Sequence, residues 1–272
     1  MTPSGVGFRV LGSGPPLLWL PGFLVPVSAL DPYISEFAHH FTCVVFDLRG
    51  SGETPPSCLP HTTARMAMDA LDVLTAAGYD AAHVQGVSLG GMVAQELAIR
   101  APERVLTLVL GATTAGGGAA TPSSVGALWS VLGSPPGGVR PGRLSLRGAF
   151  NQAWAASRHD ATARLTRVAV PTLVVHGEQD TLLPPVNAVD LAALVPGAEL
   201  RLLDGAGHFF AVEEPEAAAE VVLEWLRAPH PPSRGAPQVT DGWSAAVVGA
   251  PLRLLRRELL PWRHAYRSLR AR

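Results

Sequence analysis

The feature that most restricts this chain is a series of short, near-continuous apolar runs alternating with segments of helical period. Leu17–Leu20, Cys43–Phe46, Ala82–Val87, Val105–Leu110 and Thr172–His176 are too short for helices and, His83 and Gln85 apart, are almost wholly apolar up to their last residue. A strand that is apolar on both sides must be covered on both faces, which is the condition of a parallel sheet. Phe8–Leu11 and Glu199–Leu203 fit two further strands, the first closed by the turn Gly12-Ser13-Gly14-Pro15-Pro16. Between the runs, Ala29–Phe41, Thr63–Ala77, Leu89–Arg100, Ala188–Leu194 and Pro215–Leu226 fit helices. Gly78 and Pro102 stand where the second and third of these must stop, and Pro215 suits a first turn. The expected architecture is therefore α/β, a mostly parallel central sheet with helices on both faces.

Of the 272 residues, 47% are hydrophobic and 16% charged, enough apolar material for one domain with insertions. The net charge of −1 argues against nucleic-acid binding by the chain as a whole. All 21 basic residues are arginine. Cys43 reads as a small buried hydrophobe and Cys58 as a loop residue. Two cysteines make no disulfide framework, and neither belongs to a Cys/His cluster that could bind metal. Met1–Phe8 has no basic leader, and Pro21, Gly22 and Pro26 interrupt the stretch Leu17–Leu30. A cytoplasmic location without a membrane span is expected.

The alternation lapses twice. Residues 1–113 and 169–227 read as the core, and 114–168 as an insertion over the strand ends, with short helices near Ser124–Leu132 and Leu144–Ser157. Residues 228–240 read as a Pro/Ser/Gly linker before a basic tail, 241–272.

Gly86-Val87-Ser88-Leu89-Gly90 has the form G-x-S-x-G, lying between an apolar strand and a helix. That context suits a nucleophile elbow, a turn so tight that Gly86 and Gly90 must lack side chains and Ser88 takes a strained conformation exposing its hydroxyl. An alkyl hydroxyl needs a base within hydrogen-bond reach, and the base needs a carboxylate to orient it. With an elbow of this kind, the acid and the histidine follow the serine in that order. Asp180 follows the strand ending at His176, and His208 follows the strand ending at Leu203, each just past a carboxyl end. Glu178 and Asp204 read as loop residues and His176 as a structural strand-end residue. The amides of Leu89 and Phe23 are the expected oxyanion donors, with Gly22 allowing close backbone approach. No metal or organic cofactor is required.

These residues closely resemble the α/β-hydrolase superfamily over about residues 6–227. Phe46-Asp47-Leu48-Arg49-Gly50-Ser51-Gly52 resembles the loop after its fourth strand. Val170–Gly177 resembles its seventh strand, and Gly205-Ala206-Gly207-His208 its histidine loop. Gly86–Ala98 and Leu110–Thr114 are most similar to the branch of 3-oxoadipate enol-lactonases, small esterases and cofactor-free haloperoxidases. Serine at position 88 differs from the aspartate of haloalkane dehalogenases and epoxide hydrolases. The resemblance implies hydrolysis of a small carboxylic ester or lactone through an acyl-enzyme. The span from Ser88 to Asp180 is short for the family, which implies a shortened cap and a more open site.

Other readings stay open on the sequence. The same triad serves C–C bond hydrolysis, perhydrolysis, or hydrolysis of carrier-bound acyl chains. A catalytically silent binding protein is the rival from another class. In the tail, Leu252, Leu255, Leu259 and Trp262 form a helical apolar stripe flanked by arginines. That pattern suits docking on the chain's own body, weak membrane-surface contact or self-association, and disorder of the tail is the remaining alternative.

Overall fold

The computed structural model describes residues 1–2, 4–58, 60–118, 120–121, 145–230 and 238–239. Its strands are β1 (Phe8–Leu11), β2 (Pro16–Leu20), β3 (Thr42–Phe46), β4 (Ala82–Val87), β5 (Val105–Gly111), β6 (Thr172–Gly177), β7 (Glu199–Leu203) and β8 (Gln238–Val239). They form one sheet in the order β1-β3-β2-β4-β5-β6-β7-β8. Only the β1–β3 pairing is antiparallel. The expected α/β architecture is thus the observed one.

The helices are α1 (Asp31–Ala38), α2 (Thr63–Ala76), α3 (Leu89–Arg100), α4 (Leu146–Ser157), α5 (Val186–Leu194), the single turn α6 (Phe210–Glu213) and α7 (Pro215–Arg227). Residues alternate across the sheet with period two, so each strand feeds two cores. Leu18, Leu20, Val44, Val84, Leu108 and Val174 pack on the side of α2, α3 and α5. Leu17, Trp19, Val45, Val109 and Val175 pack on the side of α1 and α7. On that second side Trp19, Tyr33 and Phe37 meet edge to face with centroids 4.9–5.4 Å apart. Strands apolar on both sides are therefore the cause of the three-layer arrangement.

Two segments differ from the sequence reading. The helix expected over Ala29–Phe41 is a 3-10 turn, Val27–Leu30, followed by α1, because Pro32 fits only a first turn. Residues 228–240 are not wholly linker, since Gln238 and Val239 pair in parallel with Glu199 and Leu200. This pairing covers backbone groups at the β7 edge that would otherwise lack partners. Cys43 is buried and Cys58 exposed, as expected, and both are free thiols. The helix expected near Ser124–Leu132 and the tail 241–272 lie outside the described residues. Among the described residues no helix is long and apolar enough to cross a membrane.

Candidate active site

β4 runs straight into α3, and Ser88 is the residue between them, with φ 56° and ψ −119°. A non-glycine residue there carries strain and must be held by its surroundings. The Ser88 amide donates to Gly111 O at 2.8 Å, and the Thr113 hydroxyl donates to Ser88 O at 2.7 Å. The elbow glycines are required by contact. A Cβ on Gly86 would collide with the Gly90 carbonyl, and one on Gly90 with the Leu20 carbonyl. Gly22 differs, since a Cβ there would sit in ordinary contact with Ser88 Cβ at 3.5 Å. Its lack of a side chain keeps space open beside the serine rather than permitting the turn.

The structure brings Ser88, His208 and Asp180 together from the carboxyl ends of β4, β7 and β6. His208 Nε2 lies 3.1 Å from Ser88 Oγ, and His208 Nδ1 lies 2.7 Å from Asp180 Oδ2. The partners assign the tautomer: Nδ1–H donates to the carboxylate, which leaves Nε2 to accept from the serine hydroxyl. Asp180 Oδ1 accepts from the Leu182 and Leu183 amides at 2.9 and 2.8 Å. Burial alone would raise the Asp180 pKa, but hydrogen bonds from His176 and His208 outweigh it and hold the carboxyl well below the usual carboxylate range. It is therefore ionised at neutral pH.

The residue that sequence reasoning set aside is His176. Its fully buried ring places Nε2 3.0 Å from Asp180 Oδ2 and 2.8 Å from Leu183 O. Both acceptors lack protons to give, so Nε2–H is shared between them, while Nδ1 has no hydrogen-bond partner among the described residues. A histidine followed four residues later by the acid, across a tight Gly-containing turn, is the signal that could have found it. Glu178 and Asp204 are exposed, as their loop reading required.

Phe23 and Leu89 flank the serine from the β2–α1 loop and the start of α3. Neither backbone amide donates to another described residue. The next residue, Leu24, has φ 56°, and its amide donates to Gln152 Oε1 on α4 at 2.8 Å. Gln152 Nε2 donates in turn to Arg49 O at 3.0 Å and Ser51 Oγ at 3.3 Å. One fully buried glutamine thus ties the insertion helix to two loops of the core. Such a link across more than a hundred residues of chain carries no sequence pattern.

A cavity of about 490 Å³ opens over Ser88 and His208. Val25, Leu30, Met92, Leu182, Phe209 and Val212 contribute to its apolar wall. Its size and lining suit a small organic molecule. Among the described residues no group of three His, Cys, Asp or Glu side chains is disposed to hold a metal ion.

Comparison with known proteins adds four findings. A family profile described as "alpha/beta hydrolase fold" matches residues 15–133 and 144–215. A candidate carbamate hydrolase, RutD, of Azorhizobium caulinodans is 27% identical, over 79% of this chain and 92% of that protein. A poly(3-hydroxyalkanoate) depolymerase of Ectopseudomonas oleovorans is also 27% identical, over 78% of this chain and 84% of that protein. Among solved structures, the enol-lactonase of Burkholderia xenovorans superposes with a TM-score of 0.71 at 19% identity. It covers 82% of this chain and 96% of the other, and carries the likeness of fold.

Proposed function

This chain belongs to the alpha/beta hydrolase fold family, and on that premise we propose that it is a serine hydrolase of small carboxylic esters or lactones. One observation carries the reading: the hydrogen-bonded path from Asp180 through His208 to the hydroxyl of a strained Ser88. The relatives support the coarser part, hydrolysis, and the depolymerase relative supports an ester bond as the target.

In this reading His208 Nε2 takes the Ser88 proton as Oγ attacks the ester carbonyl carbon. Asp180 holds the ring in the required tautomer and stabilises the imidazolium that forms. The amides of Phe23 and Leu89 receive the oxyanion, aided by the positive end of α3. The tetrahedral adduct collapses, His208 gives its proton to the leaving alkoxide, and the acyl group stays on Ser88. Water enters, loses a proton to His208 and attacks the acyl carbon. The acid then leaves and Ser88 regains its proton. α4 supplies Ala153, Ala156 and Ser157 to the cavity wall and acts as a reduced cap over this site.

The test is Ser88→Ala against a p-nitrophenyl ester. The expected loss in kcat is about three to six orders of magnitude, with the thermal transition retained. Unchanged hydrolysis by that variant would contradict the reading.

A further inference from the structure

The lining of the cavity restricts what the acyl group can be. Its described residues include no Asp, Glu, Lys or Arg. Besides His208, the one titratable side chain among the described lining residues is His159, which is buried and held on both sides. Gln95 Nε2 donates to Thr114 O at 3.0 Å, so Gln95 Oε1 is the acceptor for His159 Nε2–H at 3.2 Å. His159 Nδ1 then accepts from the Thr63 hydroxyl at 3.0 Å. This neutral tautomer spends both ring nitrogens inside the protein and offers the cavity neither a proton nor a charge. Burial pushes the His159 pKa down to about 4, consistent with that tautomer at neutral pH. Behind it, the Arg164 guanidinium is paired with both oxygens of Glu96 and has no free charge to give.

We propose that the acyl group accepted by this site is uncharged and apolar, and that acyl chains ending in a carboxylate are rejected. This inference rests on the ester-hydrolysis reading above. An apolar chain gains by leaving water for Val25, Met92, Leu182 and Val212. A terminal carboxylate loses its hydration there and meets no cation among the described lining residues in return.

The experiment compares two p-nitrophenyl esters of matched shape, one of 6-methylheptanoic acid and one of adipic acid with its far carboxylate free. Wild-type protein is first shown to react with a fluorophosphonate at Ser88. The neutral ester should have the higher kcat/KM, by about a hundredfold or more. Ala153→Arg, a change on the exposed rim of the cavity, should raise the adipate-to-neutral ratio at least about tenfold by supplying a cation at the cavity rim. Equal or preferred turnover of the adipate ester overturns the inference and leaves the serine hydrolase reading intact. So does failure of labelled protein to cleave either ester, or a ratio that Ala153→Arg leaves unchanged. Failure of a folded protein to label overturns both.

Discussion

His176 and His208 share one acceptor: Nε2 of the first and Nδ1 of the second lie 3.0 and 2.7 Å from the same Asp180 oxygen. The Asp180 carboxylate is thus braced from behind by a second imidazole as well as by two amides. His176→Ala leaves the Oδ2 side of Asp180 to His208 alone and opens space in a fully buried site. A hydrogen bond to a charged group contributes about 1.5–3 kcal/mol, so kcat should fall about ten- to a hundredfold. His176→Gln, which keeps a donor, should recover part of the loss, and the acid limb of the pH–rate profile should move in the alanine variant. A profile identical to wild type in both variants would show that His176 only fills space.

Gln152 makes a similar point for the loop that carries Phe23 and Leu24. Gln152→Met keeps the volume but orphans the Leu24 amide and the Arg49 carbonyl, both of which it pairs in the native fold. The expected cost is about 2 kcal/mol or more in stability. Because Leu24 adjoins Phe23, kcat should also fall by about ten- to a hundredfold with KM little changed. Denaturant melts and steady-state kinetics on the one variant measure both effects. A purely stability-related loss would show that Gln152 does not position Phe23 for the reaction.

The two glycines around Ser88 differ from Gly22 in what they permit. Gly90→Ala forces a methyl group into the Leu20 carbonyl and should yield little folded protein. Gly22→Ala adds only an ordinary contact beside Ser88. It should fold normally and lose activity through crowding at the nucleophile. Soluble yield and circular dichroism for the pair distinguish the two roles, and a normally folded Gly90→Ala would refute the contact argument.

His159 gives the fold a pH dependence with a defined sign. Its pKa stands at about 4 in the folded chain against an ordinary value of 6.5. Between those values the unfolded chain binds the extra proton, so the stabilisation is complete above pH 6.5 and is lost as the pH falls towards 4. The slope from this group is at most about 1.4 kcal/mol per pH unit. Urea unfolding at pH 7, 6 and 5 should show a flatter dependence in His159→Gln than in wild type. Parallel profiles would refute the assignment.

Much of this was legible in the sequence because it is enforced locally. Val44 and Val45 face opposite cores and must both be apolar, so β3 announces itself. Gly86 and Gly90 are dictated by a single turn, and Asp180 and His208 follow the strands that deliver them. What stayed hidden depends on contacts between distant segments. His176 reads as an ordinary strand-end residue until the turn at Gly177 folds it back onto Asp180. Gln152 meets Leu24 and Arg49 only after α4 packs against the core. Gln238 and Val239 lie in a segment with linker composition, and only the open edge of β7 makes them a strand.

The central claim is that Ser88 is an activated nucleophile, and active-site labelling tests it most directly. The protein is treated with a fluorophosphonate probe, the modified residue is located by mass spectrometry, and Ser88→Ala is run as control. The account predicts one phosphonyl group, on Ser88 and absent from the alanine variant. A folded wild-type protein that remains unlabelled, or that labels elsewhere, would contradict it.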